Sequence, residues 1–200
     1  FVRDATTAPI SWTFEKQLVH SGVSGQTVNS SDQFGYSVSI STDGSLAIVG
    51  AHYSDSPDVN SGSAYVFKRT VTAWGLEQRL VHPTPAPSDY FGESVAISGD
   101  GTRVIVGAYA DDSPTDSGSA HIFRRDTTTT PISWVYEKEL RHTPSMQAVN
   151  SSDNFGISVS ISNDGNRVIA GARYTDLGGT DAGSAYVFDR LTGTIDCTLQ

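Results

Sequence analysis

The chain has 200 residues, 37% of them hydrophobic and 10% aromatic, which is enough to bury a core. Thirteen basic against 22 acidic residues give a formal net charge of −9, which excludes the electrostatic footprint of a nucleic-acid or anionic-membrane binder. No apolar run approaches the roughly 18 residues of a membrane-spanning helix, and the one cysteine, Cys197, excludes an internal disulfide framework and a thiolate metal cluster.

The predicted elements are all strands. The first is Trp12–Leu18, in which Trp12 and Phe14 alternate with Glu15 and Gln17. Next comes Phe34–Ser41, with Tyr36, Val38 and Ile40 on one face and Ser37, Ser39 and Ser41 on the other. Asp43-Gly44 then makes a tight hairpin, because glycine accepts positive φ without a clash. Leu46–Ala51 is apolar on both faces, the pattern of a strand covered on both sides. Ser63–Arg69 is the third strand of this unit, with Tyr65 and Phe67 on one face, and a copy of the Trp12 strand that begins at Trp74 is its fourth.

The same four-strand set then recurs. Phe34, Phe91 and Phe155 are 57 and 64 residues apart, and the hairpin residues Asp43, Asp100 and Asp164 keep those spacings. The segments WTFEKQLVH, WGLEQRLVH and WVYEKELRH begin at Trp12, Trp74 and Trp134. A repeat of this length made of four antiparallel strands predicts β-propeller blades, with a β-sandwich as the competing arrangement. The divisions are 1–33 (outer strand of a preceding blade and a loop), 34–90, 91–154 and 155–200. Phe1 lies 11 residues before Trp12, as Phe123 does before Trp134, so the chain opens at the end of a strand whose beginning is missing. With no Met and no visible signal peptide at its start, the chain reads as processed or as a fragment. Three blades cannot close a ring, so further blades are expected from the same or another chain.

The combination FGxSV(S/A)IS, xDG, (I/V)xGA and GSA(Y/H)(V/I)F resembles the FG-GAP repeat, the blade unit of integrin α-subunit propellers and of many surface proteins. The resemblance covers nearly the whole chain and implies a seven-bladed ring. Two features depart from the family pattern. The family's proline is replaced by His52, Tyr109 and Arg173. The calcium loop of many integrin-type repeats is reduced to STDG, SGDG and SNDG, and one carboxylate per hairpin cannot supply six to eight oxygen ligands.

Several residues are candidates for sites. Asn29 and Asn150 open N-x-S sequons in matching loops and are glycosylation candidates. The loops after the second strand carry Asp55, Asp58, Asp111, Asp112, Asp116, Asp176 and Asp181, which are calcium candidates against a plain reading as solvated caps. Asp32, Asp89 and Asp153, two residues before each FG pair, read as partners of turn backbone. His20, His82 and His142 recur eight residues after each tryptophan. Equivalent positions on different blades cannot converge on one ion, and these histidines are expected on the surface. The three tryptophans are expected to pack between blades rather than to stand out as sugar-stacking platforms. The run Thr127–Thr130 reads as a linker, and Cys197 as a buried thiol.

No nucleophile elbow, metalloprotease helix or phosphate loop is present, so a non-catalytic module is expected. The resemblance implies an extracellular or cell-surface module for adhesion, ligand binding or scaffolding. The partners would be a protein or glycan ligand, or neighbouring subunits. The alternatives are a structural component of an extracellular filament or coat, and an accessory propeller of an enzyme whose catalytic domain lies outside this segment.

Overall fold

A computed structural model describes residues 2–4, 11–20, 29, 31–55, 57–111, 117–142, 152–176, 179–190 and 195–196. Among them there is no helix, and the strands form hairpins in series. β1 (Val2–Asp4) pairs with β2 (Ser11–Thr13). The first complete sheet runs β3 (Val38–Ile40), β4 (Leu46–Ala51), β5 (Ser63–Arg69), β6 (Trp74–Leu80). The second runs β7 (Ser94–Ile97), β8 (Arg103–Ala108), β9 (Ser119–Asp126), β10 (Ser133–Leu140). The third runs β11 (Phe155–Ile161), β12 (Arg167–Ala172), β13 (Ser184–Asp189), β14 (Ile195–Asp196). All pairs are antiparallel neighbours in sequence order. We call the three sheets blades 1, 2 and 3.

The hairpins form where the D-G pairs predict them. Gly44 and Gly101 both sit at φ +68°, in the left-handed region. The hydroxyls of Ser41 and Ser162 donate to Asp43 and Asp164, and with the following backbone N–H they hold both carboxyls down to about 2. The predicted strand Phe34–Ser41 is shorter than expected. Gln33 to Tyr36 is a turn, closed by Tyr36 N–H donating to Gln33 O, and pairing starts only at Val38. The same turn precedes β7, through Glu93 N–H and Tyr90 O.

The cores lie between the sheets. One apolar cluster joins Leu46, Ile48 and Val66 of blade 1 to Val95, Val104 and Val106 of blade 2. A second joins Ile105 and Ala120 of blade 2 to Val168, Ala170 and Tyr186 of blade 3. This explains the doubly apolar second strands. Every residue of β4 and β8 is buried, whereas β12, on the last blade, alternates. It also assigns the two faces of the first strands. The apolar residues of a blade face the blade before it, and the serines face the blade after it. Ser37 Oγ donates to Gly92 O at 2.8 Å and Ser94 Oγ to Gly156 O at 2.7 Å.

Ion pairs stitch the outer edge in the same order. Glu15 meets Arg69, Glu77 meets Arg125, and Glu137 meets Arg190, each glutamate reaching the blade that follows. The middle pair is the most enclosed, with side-chain exposures of 8% and 15%. Burial pushes the Glu77 carboxyl up, but hydrogen bonds from Arg125 and Trp134 outweigh it and hold it below 4.5. Its contribution to stability is therefore complete above about pH 4.5 and is lost as pH falls through the lower folded-state value. Arg125→Gln should cost about 2 kcal/mol in urea unfolding at pH 7 and shrink the acid-induced loss. Arg69→Gln, at a pair exposed by 41% and 30%, should cost under about 0.5 kcal/mol.

Candidate functional site at one end of the blades

Two kinds of loop meet at one end of the sheets. One is the turn before the first strand of each blade; the other is the chain just after the second strand. They lie together because Ser94, at the start of β7, pairs with Gly107, near the end of β8. The positions that depart from the family's proline, His52, Tyr109 and Arg173, fall here.

These loops assemble a row of aromatic rings. Tyr36 lies 4.2 Å from His52, His52 lies 4.3 Å from Tyr53, and Tyr53 meets Tyr90 edge-on at 5.3 Å. Tyr90 then stacks on Tyr109, with centroids 5.3 Å apart and planes 8° apart. Beyond them, the Arg173 guanidinium lies 4.6 Å over the ring of Tyr174. The row spans blades 1 and 2 and reaches the loop of blade 3.

Tyr90 is held in the left-handed region, at φ 55°. Gln33 and Asn154 hold the equivalent place in blades 1 and 3, at φ 51° and 57°. Asparagine tolerates this conformation well and an aromatic residue less so. The turn thus accepts backbone strain to set a ring in the row.

One carboxylate sits among the rings. Glu93 Oε2 is 3.4 Å from His52 Nε2 and is hydrogen-bonded to the Tyr36 phenol. Burial raises the Glu93 carboxyl, and the Tyr36 bond and the charge of Arg173 offset this only in part, so it stays above 4.5. Burial lowers the His52 imidazole below 6.5. The Tyr109 phenol is pushed up to about 12, by burial first and then by the Glu93 charge. The arrangement offers flat ring faces, phenol hydroxyls and one charge of each sign.

The sequence candidates fall elsewhere. Asn29 is half-buried; its Nδ2 donates to Asp55 Oδ2 at 2.9 Å. Asp55 also accepts Asn60 N–H, and Asp176 accepts Asp181 N–H, so both cap their own loops. Asp55, Asp58, Asp176 and Asp181 are exposed, in loops of different blades, whereas Asp111 is buried. Asn150, Asp112, Asp116 and Cys197 lie outside the described residues.

The histidines require a correction. They are not on the surface: His82 and His142 are 2% and 3% exposed. Each lies just beyond an outer strand and packs against the turn that opens the next sheet. His20 Nε2 is 2.9 Å from Asp32 Oδ2, and His142 Nε2 is 2.8 Å from Asp153 Oδ2. The His20 ring also stacks on Phe34 at 4.8 Å. The reading of Asp32 and Asp89 as turn partners holds, since they accept Asn29 and Ala86 N–H. Each of these joints thus ties an imidazole, a carboxylate and the FG phenylalanine across two repeats. The tyrosine row is not apparent from the repeat pattern alone. Its signal is positional: an aromatic residue just before FG or just after GA.

Sheets of four antiparallel strands, packed face to face in series with their cores between them, are blades of a β-propeller. The FG-GAP repeat family model matches residues 12–67, 74–123 and 148–188, and the chain belongs to that family. No curated protein matches it. Among solved structures, a putative 6-phosphogluconolactonase from Bacteroides fragilis is similar in fold, with a TM-score of 0.50 and 14% identity, over 79% of this chain and 36% of that one. Hydrazine synthase from Kuenenia stuttgartiensis aligns over 87% of this chain and 38% of that one, at 12% identity and a TM-score of 0.49. Sqt1 from Saccharomyces cerevisiae aligns over 84% and 35%, at 8% identity and a TM-score of 0.49. The chain therefore spans little more than a third of each of these proteins. No helix among the described residues is long and apolar enough to cross a membrane.

Proposed function

We propose that this chain is part of a non-catalytic propeller that works outside the cell or at its surface and holds a protein or glycan ligand at the loop end bearing Tyr36, Tyr53, Tyr90 and Tyr109. The observation that carries this reading is the continuous ring row, with a strained Tyr90 inside it. Aromatic faces with hydroxyl tips suit sugar rings and protein side chains alike. The extracellular setting rests on the habit of FG-GAP repeats and on the sequons.

Tyr90→Asn tests the site, because asparagine already holds that turn in blade 3. The variant should keep its melting temperature, or gain slightly, while its strongest signal on an array of immobilised glycans and extracellular-matrix proteins falls at least tenfold. Equal binding by wild type and variant would refute the site.

A scaffolding reading draws on a different observation. Val38 and Ile40 of blade 1 are 68% and 60% exposed, while their equivalents in blade 2, Val95 and Ile97, are 7% and 5% exposed. That face has the composition of an interblade core and takes a further blade, from this chain or another.

A further inference from the structure

We propose that blade 2 holds a divalent transition metal of the zinc class, bound by His82, His121 and Asp111. The starting point is a paired departure from the repeat. Ser54, Asp111 and Thr175 occupy one repeat position; Tyr65, His121 and Tyr186 occupy another. In blades 1 and 3 the first of these positions forms a hydroxyl contact to the serine that opens β5 or β13. Ser63 Oγ donates to Ser54 Oγ at 3.2 Å, and Thr175 Oγ1 donates to Ser184 Oγ at 2.7 Å. Only blade 2 has a metal-ligating type at both positions.

The two replacements converge on a third ligand. Donor atoms of His82, Asp111 and His121 all lie within 4.8 Å of one another, and the three residues are buried. Among the described residues no other group of three such side chains comes together. His82 Nε2 is 3.0 Å and His121 Nε2 is 3.8 Å from Asp111 Oδ2. Donors around a tetrahedral ion with bonds of about 2.0 Å stand roughly 3.3 Å apart, so small movements suffice. The Ser119 hydroxyl lies between them, 2.6 Å from Asp111 Oδ2 and 2.7 Å from His121 Nε2, and supplies an oxygen as fourth ligand.

The surroundings suit two ligating imidazoles. A metal-bound histidine gives its other ring proton to an acceptor, often a carboxylate. Asp89 Oδ2 is 3.8 Å from His82 Nδ1, and Asp89 Oδ1 is buried with no hydrogen-bond partner. His121 Nδ1 is also buried and unpartnered. In the metal-free protein His82 Nδ1 accepts Thr84 N–H at 3.2 Å, which leaves the ring proton on Nε2, facing Asp111. Metal binding replaces that proton at Nε2, and Nδ1 gives up the Thr84 N–H bond, takes up a proton and donates it toward Asp89. Arg141 also hydrogen-bonds Asp111 Oδ2 and competes with the ion for this oxygen. It is 19% exposed, so it can swing outward. Two nitrogens and a carboxylate select zinc, cobalt or nickel over calcium, which prefers a full set of oxygens.

The test is titration of the 200-residue chain with Co2+, followed in the visible band of the tetrahedral ion, with Zn2+ as competitor. One equivalent should bind and be displaced by Zn2+ but not by Ca2+. Asp111→Ser introduces the residue that blade 1 carries there and His121→Tyr the one that blades 1 and 3 carry, so both variants should fold. Each should lose at least 100-fold in affinity, while Arg141→Ala should bind at least threefold more tightly. Zn2+ should raise the melting temperature of the wild type and not of Asp111→Ser. The proposal is overturned if wild type and Asp111→Ser respond alike to both metals, or if neither responds. The cluster is then an Arg141–Asp111 ion pair with histidine neighbours and nothing more.

Discussion

Gly107→Ala is expected to lose about 3 kcal/mol of stability, which for a chain of this size lowers the melting temperature by roughly 6–12 °C. Gly107 lies in β8, and a Cβ there would stand 2.0 Å from the carbonyl oxygen of Gly156 in the next blade and 2.4 Å from Ser94 Oγ. Both atoms are fixed by the bond from Ser94 Oγ to Gly156 O. The added methyl must force two packed sheets apart, since no side-chain rotation clears a backbone carbonyl. The same contact recurs one blade earlier, where a Cβ at Gly50 would stand 2.0 Å from Gly92 O. Gly75, on the outer strand β6, has nothing within 4 Å of its Cβ position, and Gly75→Ala should be close to neutral. Gly171→Ala in blade 3 should be milder than Gly107→Ala, because its nearest obstacle is the Ser158 hydroxyl at 2.6 Å. Thermal melts of the three variants check the direction of stacking. Equal midpoints for Gly107→Ala and Gly75→Ala would contradict the packing order described above.

This seam also marks how far the sequence could be read. Repeat spacing located the sheets because each unit carries its own hairpin, its doubly apolar strand and its FG turn. Alternation in Phe34–Ser41 separated Val38 and Ile40 from Ser37 and Ser39. It could not say which set meets the following blade, because in a series of stacked sheets each face of a strand looks toward a neighbouring sheet. The Glu–Arg stitches were hidden for a related reason. Glu77 and Arg125 belong to different repeats, so no single repeat shows the pair. Glutamate three residues after each Trp position, with arginine two residues after each YVF-type phenylalanine, was the available sign.

The histidines show a different limit. His20, His82 and His142 sit on different blades and do not meet one another. Each instead packs against the FG phenylalanine of the next repeat, a contact that no single repeat displays. The departure at Asp111 and His121 was visible as letters. Its meaning needed the register that sets Ser119 opposite Ala108, and Asp111 just beyond it.

Trp134 and Trp12 hold the same repeat position and are expected to respond in opposite ways. Trp134 is 3% exposed and packs against blade 1. Its Nε1 donates to Glu77 Oε2 at 2.9 Å, and its backbone exchanges hydrogen bonds with the Gln78 side chain at 2.6 and 3.0 Å. Trp134→Ala removes a buried indole from between two sheets and should cost about 4 kcal/mol. Trp134→Phe keeps most of the apolar area and loses only the indole N–H. Glu77 retains Arg125, so that change should cost about 1–2 kcal/mol. Trp12 is 66% exposed, and Trp12→Ala should cost less than about 0.5 kcal/mol. Urea unfolding of the three variants separates burial from the hydrogen bond. A loss at Trp12 as large as that at Trp134 would mean that a further blade covers Trp12 in solution, supplied by another copy of the chain. Midpoints for Trp12→Ala that shift with protein concentration would then identify that partner directly.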